Sequence, residues 1–149
     1  MMKIQTHNEL VEDSSSLAES IVEHIADAVI YADGTGTIRR WNAAAADLFG
    51  HGSEEALGQS LDLIIPERLR PAHWRGFGAA VTSGALKLSG RPTVTRAVHR
   101  TGRRLYVEMT FALVTARAGG AARGAVAVAR DVTERIEQQR ADSRGDHVG

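Results

Sequence analysis

Apolar and polar positions along the chain follow two periodicities, and the switches between them outline a fold. Leu17, Ile21, Val22 and Ile25 recur at helical spacing, and Ser14-Ser15-Ser16 offers caps, with Glu19 three residues after Ser16. Residues 28–32 form a β-prone run, residues 33–36 supply a glycine-bearing turn, and residues 37–41 return, which predicts a hairpin. Asn42 is placed to cap a short helix that ends at Gly50, and another short helix is expected from Ser53 to Gly58. A longer helical block follows at 61–84. Leu69, Ala72, His73, Gly76, Phe77, Ala80 and Val81 share one face of it, and His73 is the polar member of that stripe. Pro71 suits the early turns but would bend a longer helix.

Three strands are expected next. The first covers 91–98, with Pro92 near its start, where a missing donor is tolerated. The second, at 103–115, alternates Leu105, Val107, Met109, Phe111 and Leu113 with Tyr106, Glu108, Thr110 and Ala112. A glycine- and alanine-rich loop at 116–123 leads to the third at 124–130. Asp131 or Thr133 can cap a helix through Ile136 to about residue 141, and the polar tail beyond is expected to be loose. Strands grouped apart from a helical block argue for the α+β class, with an antiparallel sheet and helices packed on one face. Ala125, Ala127 and Ala129 are small, which leaves a cleft between sheet and helices for a small ligand.

Composition narrows the function classes. A chain of 149 residues suits a single core. Its 18 Lys and Arg balance 18 Asp and Glu, so no global field draws nucleic acid or a membrane surface. Cysteine is absent, which removes disulfides, thiolate metal sites, thiol nucleophiles and flavin–cysteinyl photochemistry. No run is apolar enough to span a membrane and no signal peptide is visible, so a cytoplasmic location is expected. Neither a nucleophile elbow nor a phosphate loop occurs, and an enzyme is not expected.

Periodicity alone makes His73 a core histidine bonded to a backbone carbonyl, with metal ligation as the alternative. Trp74 is expected on another helix face, as a surface or dimer contact. Glu54, Glu55 and Asp62 read as helix-start charges, and Arg91 as a solvated strand residue.

Three motifs nevertheless point to a family. Residues 33–38 with Trp41-Asn42-Ala43-Ala44-Ala45, then Arg100-Thr101-Gly102, then Asp131-Val132-Thr133-Glu134-Arg135 occur in an order that resembles a PAS domain over 16–135. The resemblance implies a five-stranded antiparallel sheet, a polar segment at 1–15, and a signalling helix and tail at 136–149. Pro66-Glu67-Arg68-Leu69-Arg70-Pro71-Ala72-His73 is similar to the haem-binding PAS domains of rhizobial oxygen-sensing kinases and of the bacterial direct oxygen sensor. That similarity implies haem b held by His73, with Leu69, Phe77, Val107, Met109 and Phe111 lining its slot. Arg91 falls where one type carries a methionine, and Thr93 where an arginine is expected, so the distal side departs from the group. The implied function is gas or redox sensing, relayed through terminal helices within a homodimer to a histidine kinase or regulator. The competing expectation is a haem-free interaction module with flavin or no ligand.

Overall fold

The computed structural model describes residues 7–86, 90–115 and 122–145. Helix α1 (His7–His24) leads into strands β1 (Ala28–Asp33) and β2 (Ile38–Trp41). Helices α2 (Ala43–Phe49), α3 (Ser53–Ala56) and α4 (Arg70–Ser83) follow, with 3-10 turns at Leu61–Leu63 and Glu67–Leu69 before α4. Strands β3 (Thr93–Val98), β4 (Arg104–Thr115) and β5 (Ala122–Asp131) complete the sheet, and α5 (Thr133–Gly145) leaves it. All pairings are antiparallel, in the order β2-β1-β5-β4-β3. The expected α+β class and five-stranded sheet are therefore what the chain forms.

Register assigns the faces. Ala28, Ala129 and Met109 form one row across three strands, and Ile30, Ala127 and Phe111 form the next. Strand alternation then puts Val107 and Leu105 on the same inner face. Ile30, Ile38, Trp41, Phe49, Leu105 and Val107 make the buried core on this side. Each such side chain contributes roughly 1.5–3 kcal/mol by leaving water. The central strand β5 crosses β1 very closely at Gly124. A Cβ there would meet the Ala32 carbonyl and come within 2.7 Å of the Tyr31 hydroxyl, so only glycine fits.

Two polar side chains fix the hairpin and its exit. The Asp33 carboxylate accepts the Thr35 hydroxyl at 2.6 Å, the Thr35 and Thr37 N–H groups, and the Arg39 guanidinium at 2.8 Å. The Thr35 hydroxyl first, and Arg39 second, hold this carboxyl well below the usual carboxylate range. Asn42 is buried and does more than cap α2. Its Oδ1 accepts the Val29 and Ala45 N–H groups, both at 2.9 Å, while Nδ2 donates to the Val22 and Asp27 carbonyls.

Several boundaries differ from the sequence expectation. Helix α1 already begins at His7, so Ser14-Ser15-Ser16 lie inside it instead of capping it. Strand β3 starts at Thr93, leaving Arg91 and Pro92 outside, since proline brings no N–H to a ladder. Leu69 ends a 3-10 turn, and Pro71 falls in the first turn of α4, where no bend is needed. Helix α5 continues to Gly145, four residues past the expected end near 141. Ala122 and Arg123, expected in a loop, open β5. The expectations for 1–6, 116–121 and 146–149 lie outside the described residues.

Candidate functional site

Helix α4 covers the sheet thinly. Ala80 is its only fully buried residue, and Gly76 and Gly78 have nothing within 4 Å of where a Cβ would stand. Its covered side carries His73, Trp74, Phe77, Ala80 and Val81, while Ala72 and Gly76 are exposed. The stripe is thus rotated by about one residue from the expected one, and Trp74 belongs to it. Trp74 packs against Gly36, a turn residue at φ 81°, and donates its Nε1–H to Asp62 at 2.8 Å. It is an internal tie between α4 and the hairpin, on the covered side of the helix and not on the separate face expected. Asp62 is correspondingly an acceptor within that tie. The need of a half-buried indole N–H for an acceptor was the available clue.

His73 is half-buried on this helix. Its ring stacks on Phe77 with centroids 5.9 Å apart and meets Trp74 edge-on at 4.7 Å. Its Nδ1 is buried and has no hydrogen-bond partner among the described residues. The carbonyl expected for a core histidine is therefore missing. Burial lowers the His73 pKa below its ordinary 6.5, against an opposing pull from the Asp62 carboxylate. The ring is neutral at neutral pH, the form that ligates metals.

The remaining candidates divide into two groups. Val107 and Met109 are buried on the inner sheet face, Phe111 is partly buried beside them, and Thr93 pairs directly with Met109. Leu69 is half-buried just ahead of α4. Arg91 is exposed and stands off the strand, so it does not join the others; this matches its reading as a solvated residue but not as one on a strand. No group of three or more His, Asp or Glu that could hold a bare metal ion occurs among the described residues.

Two clefts open elsewhere on the molecule. One lies between α5 and the outer face of β3 and β4, the other between α1, β2 and α3. Neither is lined by His73 or by the other residues expected to hold a cofactor. No described helix is long and apolar enough to cross a membrane.

The architecture is an antiparallel sheet with a helical block over one face and a helix at each end. The family model of the PAS fold matches residues 22–137, and the chain belongs to the PAS family. It is 30% identical over 132 residues to an uncharacterized protein of Azorhizobium caulinodans, covering 88% of this chain and 18% of that protein. Over 54 residues it is 43% identical to the sensor protein FixL of Bradyrhizobium diazoefficiens, covering 36% of this chain and 11% of FixL. The chain thus spans less than a fifth of either relative. Among solved structures, the PAS domain of a Colwellia psychrerythraea protein superposes with a TM-score of 0.69 at 20% identity, covering 82% of this chain and 99% of that one. At that identity the likeness concerns the fold.

Proposed function

We propose that this PAS domain senses a diatomic gas or redox state through haem b bound by His73 between α4 and the inner sheet face. The observation that carries the reading is the buried Nδ1, which has no partner among the described residues, on a ring whose pKa burial lowers. A fold has little reason to bury such an atom unless the imidazole serves something else. One protein ligand suffices for iron already held by four porphyrin nitrogens, so the lack of a wider ligand cluster among the described residues fits this group. Haem would supply a site for diatomic ligands or one-electron chemistry. The chain's own part is to present the imidazole from α4, to stack Phe77 beside it, and to offer Thr93, Val107, Met109 and Phe111 as the opposite wall. Only Ala80 of helix α4 is fully buried, so few contacts hold this helix against the sheet beyond the Trp74 tie. Arg91 is left out of the wall by its exposure.

The segment resemblance at 66–73 and the local identity to a sensor protein support this reading. The output passes through α1 and α5, within a homodimer, to a kinase or regulator. Leu17 and Ile21 on α1, with Ile25 just past its end, form an exposed apolar stripe that suits a second copy. The domain acts as a sensor and catalyses no reaction itself.

A second reading, a haem-free interaction module with flavin or no ligand, draws on the close packing of Val107 and Met109. The visible spectrum separates the two. With haem supplied, a Soret band that survives desalting and vanishes in His73→Ala supports the sensor. If wild type shows no band at saturating haem, the interaction module stands.

A further inference from the structure

Helix α5 lies over the outer face of the sheet, opposite to His73, and borders an open cleft of about 730 Å³ with β3 and β4. Small-molecule sites fall in this size range. Three guanidiniums line it, from Arg96 on β3 and from Arg140 and Arg144 on α5, together with the Ser143 hydroxyl. Its described lining contains no carboxylate, and none of the three arginines joins an ion pair among the described residues. Arg96 and Arg140 instead share the Tyr106 ring, at 5.8 and 5.0 Å from its centroid. Val94 and Ile136 give the cleft an apolar side. In a chain with no net charge, this is a local concentration of positive charge with no paired carboxylate among the described residues.

The helix above it is weakly held. No residue of α5 is fully buried, and its polar ties are Thr133 to the Tyr106 backbone and Arg135 to Glu108 at 3.4 Å. Like charges on the helix and on the strand repel across this seam. An anion between them turns the repulsion into attraction on both sides.

We propose that this cleft binds a small polyanion, carboxylate or phosphate, whose charges are met by Arg96, Arg140 and Arg144, and that its binding clamps α5 to the sheet. Ser143 adds a donor, and the apolar side takes a short carbon skeleton. The site shares no residue with the one proposed around His73, so either can fail alone.

The test titrates the full chain at low ionic strength with citrate and, separately, with pyrophosphate, reading heat and amide exchange. Saturable binding of at least one, slower exchange over 133–145, and about a tenfold loss of affinity in Arg144→Gln support the site. Citrate alone assigns a carboxylate ligand, pyrophosphate alone a phosphate, and both the shared polyanion chemistry. His73→Ala leaves the titration unchanged. The proposal is overturned if neither anion binds saturably, if Arg144→Gln binds as well as wild type, or if exchange over α5 does not slow. An Arg96→Gln/Arg140→Gln variant should bind weakest. Should loss of the Tyr106 contacts unfold it, Arg144→Gln decides alone.

Discussion

At the scale of single residues, His73 carries opposite consequences for stability and for function. Replacing it with leucine removes the partnerless Nδ1 and should stabilise the haem-free domain by about 1 kcal/mol in urea unfolding, while abolishing haem uptake. The pH dependence follows from its lowered pKa. The unfolded ring binds a proton more readily than the folded one, so stability is complete above pH 6.5 and falls as acid carries the pH below it. His73→Leu should flatten this part of the stability profile, and an unchanged profile would remove burial as the cause. Asp33 acts lower on the scale. Its carboxyl is depressed in the fold, so its contribution persists until the pH drops through the ordinary carboxylate range and below. Asn42→Ala leaves the Val29 N–H and two carbonyls unpaired, and a loss of about 2–4 kcal/mol is expected from chemical denaturation.

At the scale of elements, the strands were the most legible part of the sequence. The alternation from Leu105 to Leu113 fixes the faces of β4, and pairing carries that assignment to the alanines of β5. Ends were less legible, because they depend on partners distant in sequence. The polar residues 1–12 fit a frayed end as well as a continued helix, and Arg91 lost its strand to the proline beside it. The helical stripe was read one residue askew for a similar reason. Local periodicity favoured Ala72 and Gly76, whereas the Asp62 acceptor and the Gly36 turn draw Trp74 inward. His73 was legible as an odd polar residue on an apolar face, but its lack of a partner was not, since that depends on every neighbour. Trp74→Ala should free α4 from the hairpin. Amide exchange over 70–83 should accelerate, with a stability loss of about 2 kcal/mol, below the roughly 3–5 kcal/mol of a fully buried tryptophan because this one is half-buried. Equal exchange in the two proteins would mean that α4 is held elsewhere.

At the scale of the whole molecule, the question is how an interior change reaches another chain. Leu17 and Ile21 on α1, and Ile25 just past its end, face solvent. If they seat a second copy, Ile21→Lys should convert a dimer to a monomer in light scattering and leave the haem spectrum intact; an unaltered mass would place the interface elsewhere. If it carries the output, the other terminal helix acts as a lever. Thr133 grips both the N–H and the carbonyl of Tyr106, at 2.9 and 3.4 Å, so the fulcrum is fixed on the long strand. The arm beyond it measures about 20 Å, from 1.5 Å per residue. A tilt of about 10° at that fulcrum sweeps the far end through about 3 Å, enough to bring one row of side chains out of register with a neighbour. If α5 carries the output, sub-ångström adjustments of the sheet would be magnified at the distance where another protein reads them.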